Sequence, residues 1–303
     1  MRNGSPLKKK IWATAGGKGG TGKTVVTSNM ALLLAELGHK VILVDADLGS
    51  ANLHTCLGVR QPGKTLSDFI FSKDVPLESL AIDTPYQNLK IISGSNDRLS
   101  IANMQHAQKT RLLRHIEKLE ADYILIDLGA GTNFNVLDFF LRSDMGVLVV
   151  MPEPTSIENL YRFIKSAVIR IIKKNLPPEV YKDIKISIDR YGTNQTMDSL
   201  IEVIKEKEGV FGYRIKEEID NFTPKLIVNQ IRSSEEAILG PSISEITQKY
   251  LGVRLDYIGH VSYDDTVHLA VKNFTPFLLH SPNCKASIEM RVAMKRLLAK
   301  NTQ

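Results

Sequence analysis

Short apolar runs recur along the chain, and most of them end at polar or glycine residues. The runs occupy residues 11–15, 41–44, 123–126, 147–151, 226–228 and 255–258. Because they are continuously apolar rather than alternating, they predict strands buried on both faces. Between the runs lie segments whose apolar residues recur at helical spacing, for example at 107–119 and 157–172. This alternation predicts an α/β fold, a mostly parallel sheet with helices on both faces.

One internal segment departs from this alternation. From residue 176 to 222 the strand–helix rhythm is lost, and Pro177-Pro178 opens the segment. Residues 200–208 have helical spacing, and Gly209 and Gly212 interrupt the pattern before 215–219. We expect a single domain over 1–303 that carries a helical insertion at 176–222. A plain long connection is the alternative.

The C-terminal segment, 286–303, begins with the spacing of an amphipathic helix. One face carries Ala286, Met290, Ala293, Met294, Leu297 and Leu298, and Arg291, Lys295, Arg296 and Lys300 lie outside it. Such a stripe is typical of a peripheral membrane anchor. It is equally typical of a terminal helix packed on a sheet. Both interpretations stay open.

Composition narrows the function classes. The chain is 43% hydrophobic and 24% charged, which is ordinary for a globular protein, and no apolar run approaches the ~20 residues of a membrane span. The basic start is not a secretion signal. Cys56 and Cys284 are far apart, which excludes a CxxC site and favours a reducing, cytoplasmic compartment. A net charge of +6 is compatible with nucleic acid or an anionic membrane surface, but solvated helix faces usually account for it.

Residues 16–24 read GGKGGTGKT and contain a phosphate loop, G-x-x-x-x-G-K-[ST], formed by Gly17, Gly22, Lys23 and Thr24. Glycines let backbone N–H groups turn towards phosphates, and the following helix presents its positive end. Lysine at this position reaches the β- and γ-phosphates, and the threonine hydroxyl ligates Mg²⁺. The flanking strand and helix favour this interpretation over a glycine-rich turn that fits by chance. Lys18 is not needed to hold phosphate within one chain, so we expect it to have a second role.

Acidic residues follow two of the predicted strands. Asp127 ends the run YILI, where a phosphate loop needs its acidic partner for Mg²⁺. The two glycines of residues 129–131 allow the backbone to move when a γ-phosphate is present or absent. Asp47 follows VILVDA and is suited to orienting the attacking water or binding Mg²⁺, with Asp45 and Asn52 in support. Turn formation by Asp47 and Asn52 is the alternative.

These motifs resemble those of the MinD/ParA family of deviant phosphate-loop ATPases. The resemblance rests on KGGTGKT at 18–24, VDADLGSANLH at 44–54 and IDLGAGT at 126–132. The segment MPEPTSIENLYRFIK at 151–165 is most similar to the FlhG (FleN) branch, which regulates flagellar number and placement. The match spans residues 10–175 and 225–280.

The resemblance implies an ATPase that uses ATP and Mg²⁺ and forms an ATP-dependent homodimer. Lys18 would reach across the interface to the nucleotide of the partner subunit. The implied catalytic residues are Lys18, Lys23, Asp47 and Asn52, and the implied metal ligands are Thr24, Asp47 and Asp127. The implied nucleotide contacts are Gly17, Lys18, Gly19, Gly20, Thr21, Gly22, Lys23, Thr24, Val25 and Asn229, with Asn229 reading adenine. The loop 261–264 would line the base, but it lacks the frequent proline of the family.

The resemblance also implies that the ATP-bound dimer acts at a surface, either a membrane or DNA. Family members use a membrane, through a C-terminal helix, or nonspecific DNA. The candidates for DNA contact are Lys8–Lys10, Arg162, Lys165, Arg170, Lys173 and Lys174, and a solvated face is the favoured alternative. Only about ten residues precede the first strand, without the glutamine-containing segment by which FlhG relatives stimulate a GTPase. We do not expect that stimulation here.

Four functions follow from these motifs. The first is a positioning switch of the FlhG type with a flagellar partner protein, and the second is a ParA-type switch with a chromosome or plasmid partition partner. The third is an iron–sulfur carrier, which the positions of Cys56 and Cys284 do not fit. The fourth is a nucleotide-dependent scaffold with negligible turnover. Partner capture separates the first two, and phosphate release tests the last.

Overall fold

The computed structural model describes residues 9–47, 51–60, 62–94, 104–191 and 196–299. Parts of several predicted features lie outside these ranges. They are Lys8 of the basic start, residues 48–50 of the turn after Asp47, residues 192–195 of the internal segment, and Lys300 with the rest of the C-terminus. Within the described ranges, no helix is both long and apolar enough to cross a membrane.

Eight strands form one sheet. In chain order, β1 to β8 are Lys10–Ala15, Val41–Ala46, Ile82–Asp83, Leu89–Ile92, Tyr123–Leu128, Met145–Val150, Lys225–Ile231 and Asp256–Ser262. Their order across the sheet is β3-β4-β2-β5-β1-β6-β7-β8. The strands pair in parallel, except that β3 pairs antiparallel with β4. The predicted α/β class with a mostly parallel sheet is confirmed.

Helices connect the strands. In chain order, α1 to α14 are Lys23–Glu36, Leu66–Phe71, His106–Ile116, Phe134–Arg142, Pro154–Asn175, Pro178–Asp183, Lys185–Arg190, Met197–Lys207, Gly209–Asn221, Ser234–Ala237, Leu239–Leu251, Asp265–Lys272, Phe277–His280 and Lys285–Ala299. The predicted helices at 107–119 and 157–172 correspond to α3 and α5. Helix α5 starts earlier than predicted because Pro154 occupies its first turn, where a missing N–H costs nothing.

Strand side chains alternate between two hydrophobic cores, one on each face of the sheet. In β1, Ala13 and Ala15 belong to the core that α4 and α5 cover, whereas Trp12 belongs to the core that α1 and α14 cover. In β7, Leu226 and Ile227 divide in the same way. This double burial explains why the strands read as continuous apolar runs.

The sequence pattern missed part of the sheet. The short strands β3 and β4 were not predicted, because β3 is two residues long and β4 is four. The strand predicted at 255–258 is too short, and the prediction of a loop at 261–264 is wrong for residues 261–262. Strand β8 continues to Ser262 because His260 and Val261 keep their pairing with β7, although Gly259 and His260 break the apolar run.

Residues 176–222 contain α6 to α9, apart from the stretch outside the described ranges. The predicted interruption at Gly209 is confirmed, since α8 ends at Lys207 and α9 begins at Gly209. The predicted interruption at Gly212 is wrong, because α9 continues through it. A Cβ on Gly212 would lie 3.1 Å from the Cα of Lys205 in α8. Glycine is therefore present because α8 and α9 pack closely, and it does not end the helix.

The C-terminal helix α14 packs on the sheet. Helix α14 contacts β8 and α1, and the five residues Ala286, Met290, Ala293, Met294 and Leu297 of its apolar stripe are buried. Gly259 allows this approach, because a Cβ there would lie 3.3 Å from that of Ala293. Of the two interpretations of this stripe, the structure shows packing.

Replacing Met294 with aspartate should lower the free energy of unfolding by about 3 kcal/mol or more, because a carboxylate would enter a closed apolar core. Val292 lies on the same helix but is 42% exposed. Val292→Asp should therefore change stability by only about 0.5 kcal/mol. Urea denaturation of both variants measures the difference. A similar loss for both would mean that the stripe is not packed as described.

Candidate functional site

The phosphate loop lies at the carboxyl edge of the sheet. Strand β1 ends at Ala15, α1 begins at Lys23, and residues 16–22 connect them. The flanking strands, β5 and β6, also run parallel to β1. The loop therefore lies where open α/β sheets bind their ligands.

Two glycines of the loop cannot be replaced without rearrangement. A Cβ on Gly17 would overlap the carbonyl of Asn159 in α5. Gly22 has a φ of 85°, and a Cβ there would overlap the amide nitrogen of Asn229. Close backbone approach and a left-handed conformation thus explain the glycines of the motif at these positions.

The loop fits a phosphate chain. The hydroxyl of Thr21 is buried and has no hydrogen-bond partner within the described part of the chain. Added Cβ atoms on Gly19 and Gly20 would meet no atom within 4 Å, so these residues border open space. Helix α1 has no acidic residue in its first turn. An unpaired hydroxyl, open glycines and a helix N-terminus together suit an anion.

Lys23 is the inward-facing lysine of the loop. Its residue is 7% exposed, and its Nζ donates to the carbonyl oxygen of Lys18 at 3.4 Å. Burial lowers the pKa of Lys23, although the charges of Asp127 and Asp47 oppose this effect. The amine is thus held inside the loop, close to two carboxylates, where it can neutralise phosphate charge.

Asp127 occupies the end of β5, beside the start of α1. It is buried, and it accepts hydrogen bonds from the hydroxyls of Thr24 at 2.7 Å and Thr27 at 3.1 Å. Burial raises the pKa of Asp127 to about 6, against the effect of these hydrogen bonds and of Lys23. Hydroxyl and carboxylate oxygens at this spacing form the donor set that Mg²⁺ prefers.

Two further aspartates shape the turn after β2. Asp45 is buried and accepts from the N–H groups of Asp47 and Leu53. Burial, reinforced by Asp127, raises the pKa of Asp45 well above its usual range. Asp47 lies against Gly129 in the loop after β5, because a Cβ added to Gly129 would lie 3.1 Å from the Oδ1 of Asp47. Asp47 also lies close enough to Lys23 and Asp127 for its charge to raise the pKa of both.

The loop after β5 also contacts the phosphate loop directly. The N–H of Gly131 donates to the carbonyl of Gly16 at 3.4 Å. Gly131 has a φ of 95°, which only glycine adopts readily. The segment behind Asp127 is therefore joined to the phosphate loop by backbone contact.

Asn52 has a different environment. Its side chain is exposed, and its carbonyl accepts from the N–H and the hydroxyl of Thr55 at 3.2 and 2.6 Å. These bonds close the turn before a 3₁₀ segment at Thr55–Leu57. The backbone of Asn52 thus forms a turn, as the alternative interpretation predicted, and its catalytic role remains a prediction.

Lys18 does not point into its own loop. Its Nζ lies 3.5 Å from the carboxylate of Glu153 and 3.3 Å from the hydroxyl of Thr155, at the start of α5. The side chain of Lys18 is 42% exposed. The two lysines of the motif therefore differ, one enclosed by the loop and one held at its rim.

An apolar cavity of about 200 Å³ opens beside Gly22. Its apolar walls are Val25, Val26, Val261, Val267, Val271 and Phe277, and Asn229, Ser262, Tyr263, Asp264 and His268 add polar atoms. Asn229 donates its amide to the carbonyl of Thr21 at 2.9 Å. The guanidinium of Arg232 stacks 3.8 Å from the ring centre of Tyr263. A mostly apolar cavity with a few polar groups suits a nucleotide base.

A strand, a glycine loop ending in Lys-Thr and a buried aspartate on the adjoining strand define a phosphate-loop ATPase. Residues 9–182 match the family model described as AAA domain. The septum site-determining protein MinD of Helicobacter pylori is 31% identical over 194 residues, which cover 62% of this chain and 71% of that protein. The chain belongs to the MinD/ParA family of ATPases.

Two further relatives match nearly the whole chain. The antiactivator FleN of Pseudomonas aeruginosa is 28% identical over 298 residues, which cover 97% of this chain and 88% of that protein. The structure of MinD from Pyrococcus horikoshii, complexed with Mg-ADP, has a TM-score of 0.67 at 22% identity and covers 98% of this chain and 99% of its own. The predicted ATPase activity, with ATP and Mg²⁺, is confirmed at the level of the family.

Sequence reasoning missed three polar residues at the site. Thr27 was not singled out, although it lies one turn after Thr24 on the same face of α1. Glu153 and Thr155 were used only as part of a motif, and their contact with Lys18 was not foreseen. A threonine repeated at helical spacing behind the motif is the signal that could have found Thr27.

Proposed function

We propose that this ATPase is a molecular switch that dimerises on ATP and regulates the number or placement of flagella through a partner protein. The match to FleN supports this role because it spans both halves of the chain rather than the phosphate loop alone. An antiactivator acts on an activator, so the proposed partner is a protein. We treat residues 1–303 as one ATPase domain with a helical insertion at 176–222.

One observation carries the proposal of a dimer. Lys18 lies at the rim of the loop, half-exposed and bound to the first turn of α5, while Lys23 occupies the loop interior. An amine at the rim is positioned to meet a nucleotide held by a second chain face to face. We propose that Lys18 leaves Glu153 and stabilises charge on the nucleotide of the partner subunit.

The other residues are proposed to act within their own chain. Backbone N–H groups of residues 17–25 and the hydroxyl of Thr21 hold the phosphates, and Lys23 neutralises their charge. Thr24 and Asp127, with Asp47, would hold Mg²⁺. The bound ion would supply positive charge that neutralises the phosphates. Asp47 orients the attacking water and Asn52 assists it.

The base is proposed to enter the cavity beside Gly22. Since the amide nitrogen of Asn229 is already bonded to Thr21, its Oδ1 is the atom that would accept from the amino group of adenine. Tyr263 would form one wall of the base site with Arg232.

Other surfaces receive less support. The apolar stripe of α14 is buried, so it offers no lipid anchor as folded. In the basic series of α5, Arg162 pairs with Glu158 and Arg170 pairs with Asp138, which reduces the charge available to DNA phosphates. We therefore favour a protein partner over a membrane or DNA as the target of this ATPase.

Deleting this gene from the organism that encodes it should change the number of flagella per cell, counted by electron microscopy. Restoring the wild-type chain should return the count to its original value. A chain with Lys18→Ala should not, whereas Lys118→Ala should, because Lys118 is exposed at the opposite edge of the sheet. An unchanged count after deletion would contradict the flagellar role and leave the ATPase assignment intact.

A further inference from the structure

A second cavity, of about 410 Å³, opens on the face of the sheet that α4 and α5 cover. Its main lining residues are His106, Lys109, Asn133, Phe134, Asn135 and Arg170. We call it the Phe134 pocket. None of these residues has a role in the proposed ATPase mechanism.

Positive charge exceeds negative charge at the Phe134 pocket. Lys109 and Arg170 both bind Asp138, and Arg170 does so with two hydrogen bonds of 2.7 and 2.9 Å. Burial would raise the pKa of Asp138, but hydrogen bonds from Arg170 and Lys109 outweigh burial and hold it below its usual range. One ionised carboxylate thus balances two cations. At the rim, Lys173 pairs with no carboxylate among the described residues, and its amine instead faces the rings of Phe134 and Tyr181.

Phe134 is unusually exposed for its type. It is the first residue of α4, and it is 62% exposed, whereas Val136, Leu137, Phe139 and Phe140 of the same helix are buried. The guanidinium of Arg170 lies 5.1 Å from its ring centre and the amine of Lys173 lies 5.9 Å away. Phenylalanine and arginine are both enriched at protein interfaces, so an exposed ring beside Arg170 is suited to contact a partner.

We propose that the Phe134 pocket docks an acidic segment of a partner protein, with an apolar side chain of the segment covering Phe134 and its carboxylates meeting Lys173. Charge complementarity identifies the occupant, because the pocket combines surplus cations with apolar surface. Nucleic acid fits less well. Its backbone needs a row of cations along a groove, whereas Arg162 on the same helix is neutralised by Glu158.

A short fluorescein-labelled peptide of Asp, Glu and Leu tests the proposal by anisotropy. Its matched control carries Asn and Gln in place of Asp and Glu. Saturating ADP and Mg²⁺ occupy the phosphate loop throughout, so that peptide carboxylates cannot bind there. The acidic peptide should bind at least about tenfold more tightly than its amide counterpart.

Phe134→Ala and Lys173→Glu should each weaken binding of the acidic peptide by about tenfold. Lys295→Glu is the matched control, since it makes the same charge change on α14, on the other face of the sheet. Circular dichroism establishes that each variant is folded. The proposal is wrong if the wild-type chain does not bind the acidic peptide, if both pocket variants bind it as the wild type does, or if duplex DNA displaces it and shows the same dependence on Phe134 and Lys173.

Discussion

Replacing Lys18 with alanine should lower ATP hydrolysis by about 100-fold or more while nucleotide affinity changes by only about threefold. The difference follows from the geometry of the two lysines. Lys23 is enclosed by the loop and remains in the variant, whereas Lys18 contacts Glu153 and Thr155 at the rim. The variant should also stay monomeric with ATP.

Three measurements check this result. Fluorescent-nucleotide titration reports affinity, light scattering reports the ATP-dependent mass, and phosphate release reports hydrolysis. Lys118→Ala serves as the control, because this exposed lysine follows α3 at the amino edge of the sheet. A normal hydrolysis rate in Lys18→Ala would contradict the proposed role. Loss of affinity equal to the loss of rate would instead mean that Lys18 binds nucleotide within its own chain.

The sheet and its family could be predicted because their signals are local. Strands buried on both faces leave apolar runs that need no knowledge of neighbouring elements, and six of the eight strands were found in this way. The phosphate loop is equally local, since Gly17, Gly22, Lys23 and Thr24 lie within one short segment. Both features are visible without knowing what packs against them.

Features that depend on distant partners were not predictable. The sequence pattern of α14 fits both a membrane anchor and a helix packed on the sheet. Only its contact with β8 decides between these two interpretations. From the sequence alone, Gly212 predicts a break in a helix. Its actual role, close packing against Lys205 of α8, is visible only in the fold. The pairing of Val261 with β7 likewise extends a strand that the pattern ends at Ile258.

The environment of a site residue also depends on such partners. The sequence places Asp127 after a strand, but its burial and its bond to Thr27 arise from the packing of α1 on β5. Similarly, the motif predicts a surplus lysine at position 18 without indicating that Glu153 holds it. Sequence reasoning therefore found which residues are present at the site, and the fold supplied their contacts.

Replacing Asp47 with alanine should lower hydrolysis by about 100-fold or more and leave ATP binding and dimerisation in place. Asp47 reaches the site from the end of β2, against Gly129, so its loss removes no group from the phosphate loop itself. With ATP and Mg²⁺ the variant should persist as a dimer, which light scattering would detect. Asp83→Ala, at an exposed position in the edge strand β3, should hydrolyse ATP normally. A variant that stayed monomeric with ATP would contradict the role given to Asp47.

Mixing the two inactive variants should restore hydrolysis, and this result would separate action across the interface from action within one chain. In a mixed dimer, the Lys18→Ala subunit keeps Asp47 and receives Lys18 from the Asp47→Ala subunit, so one of its two sites is complete. If Lys18 served its own nucleotide, each site would lack either the lysine or the aspartate, and the mixture would stay inactive. The two chains are mixed before ATP is added, and co-purification of an untagged Lys18→Ala chain with a tagged Asp47→Ala chain establishes that mixed dimers form. Phosphate release measured against mixing ratio should then peak near equal amounts of the two chains, whereas a flat profile from such mixed dimers would exclude a lysine supplied by the partner subunit.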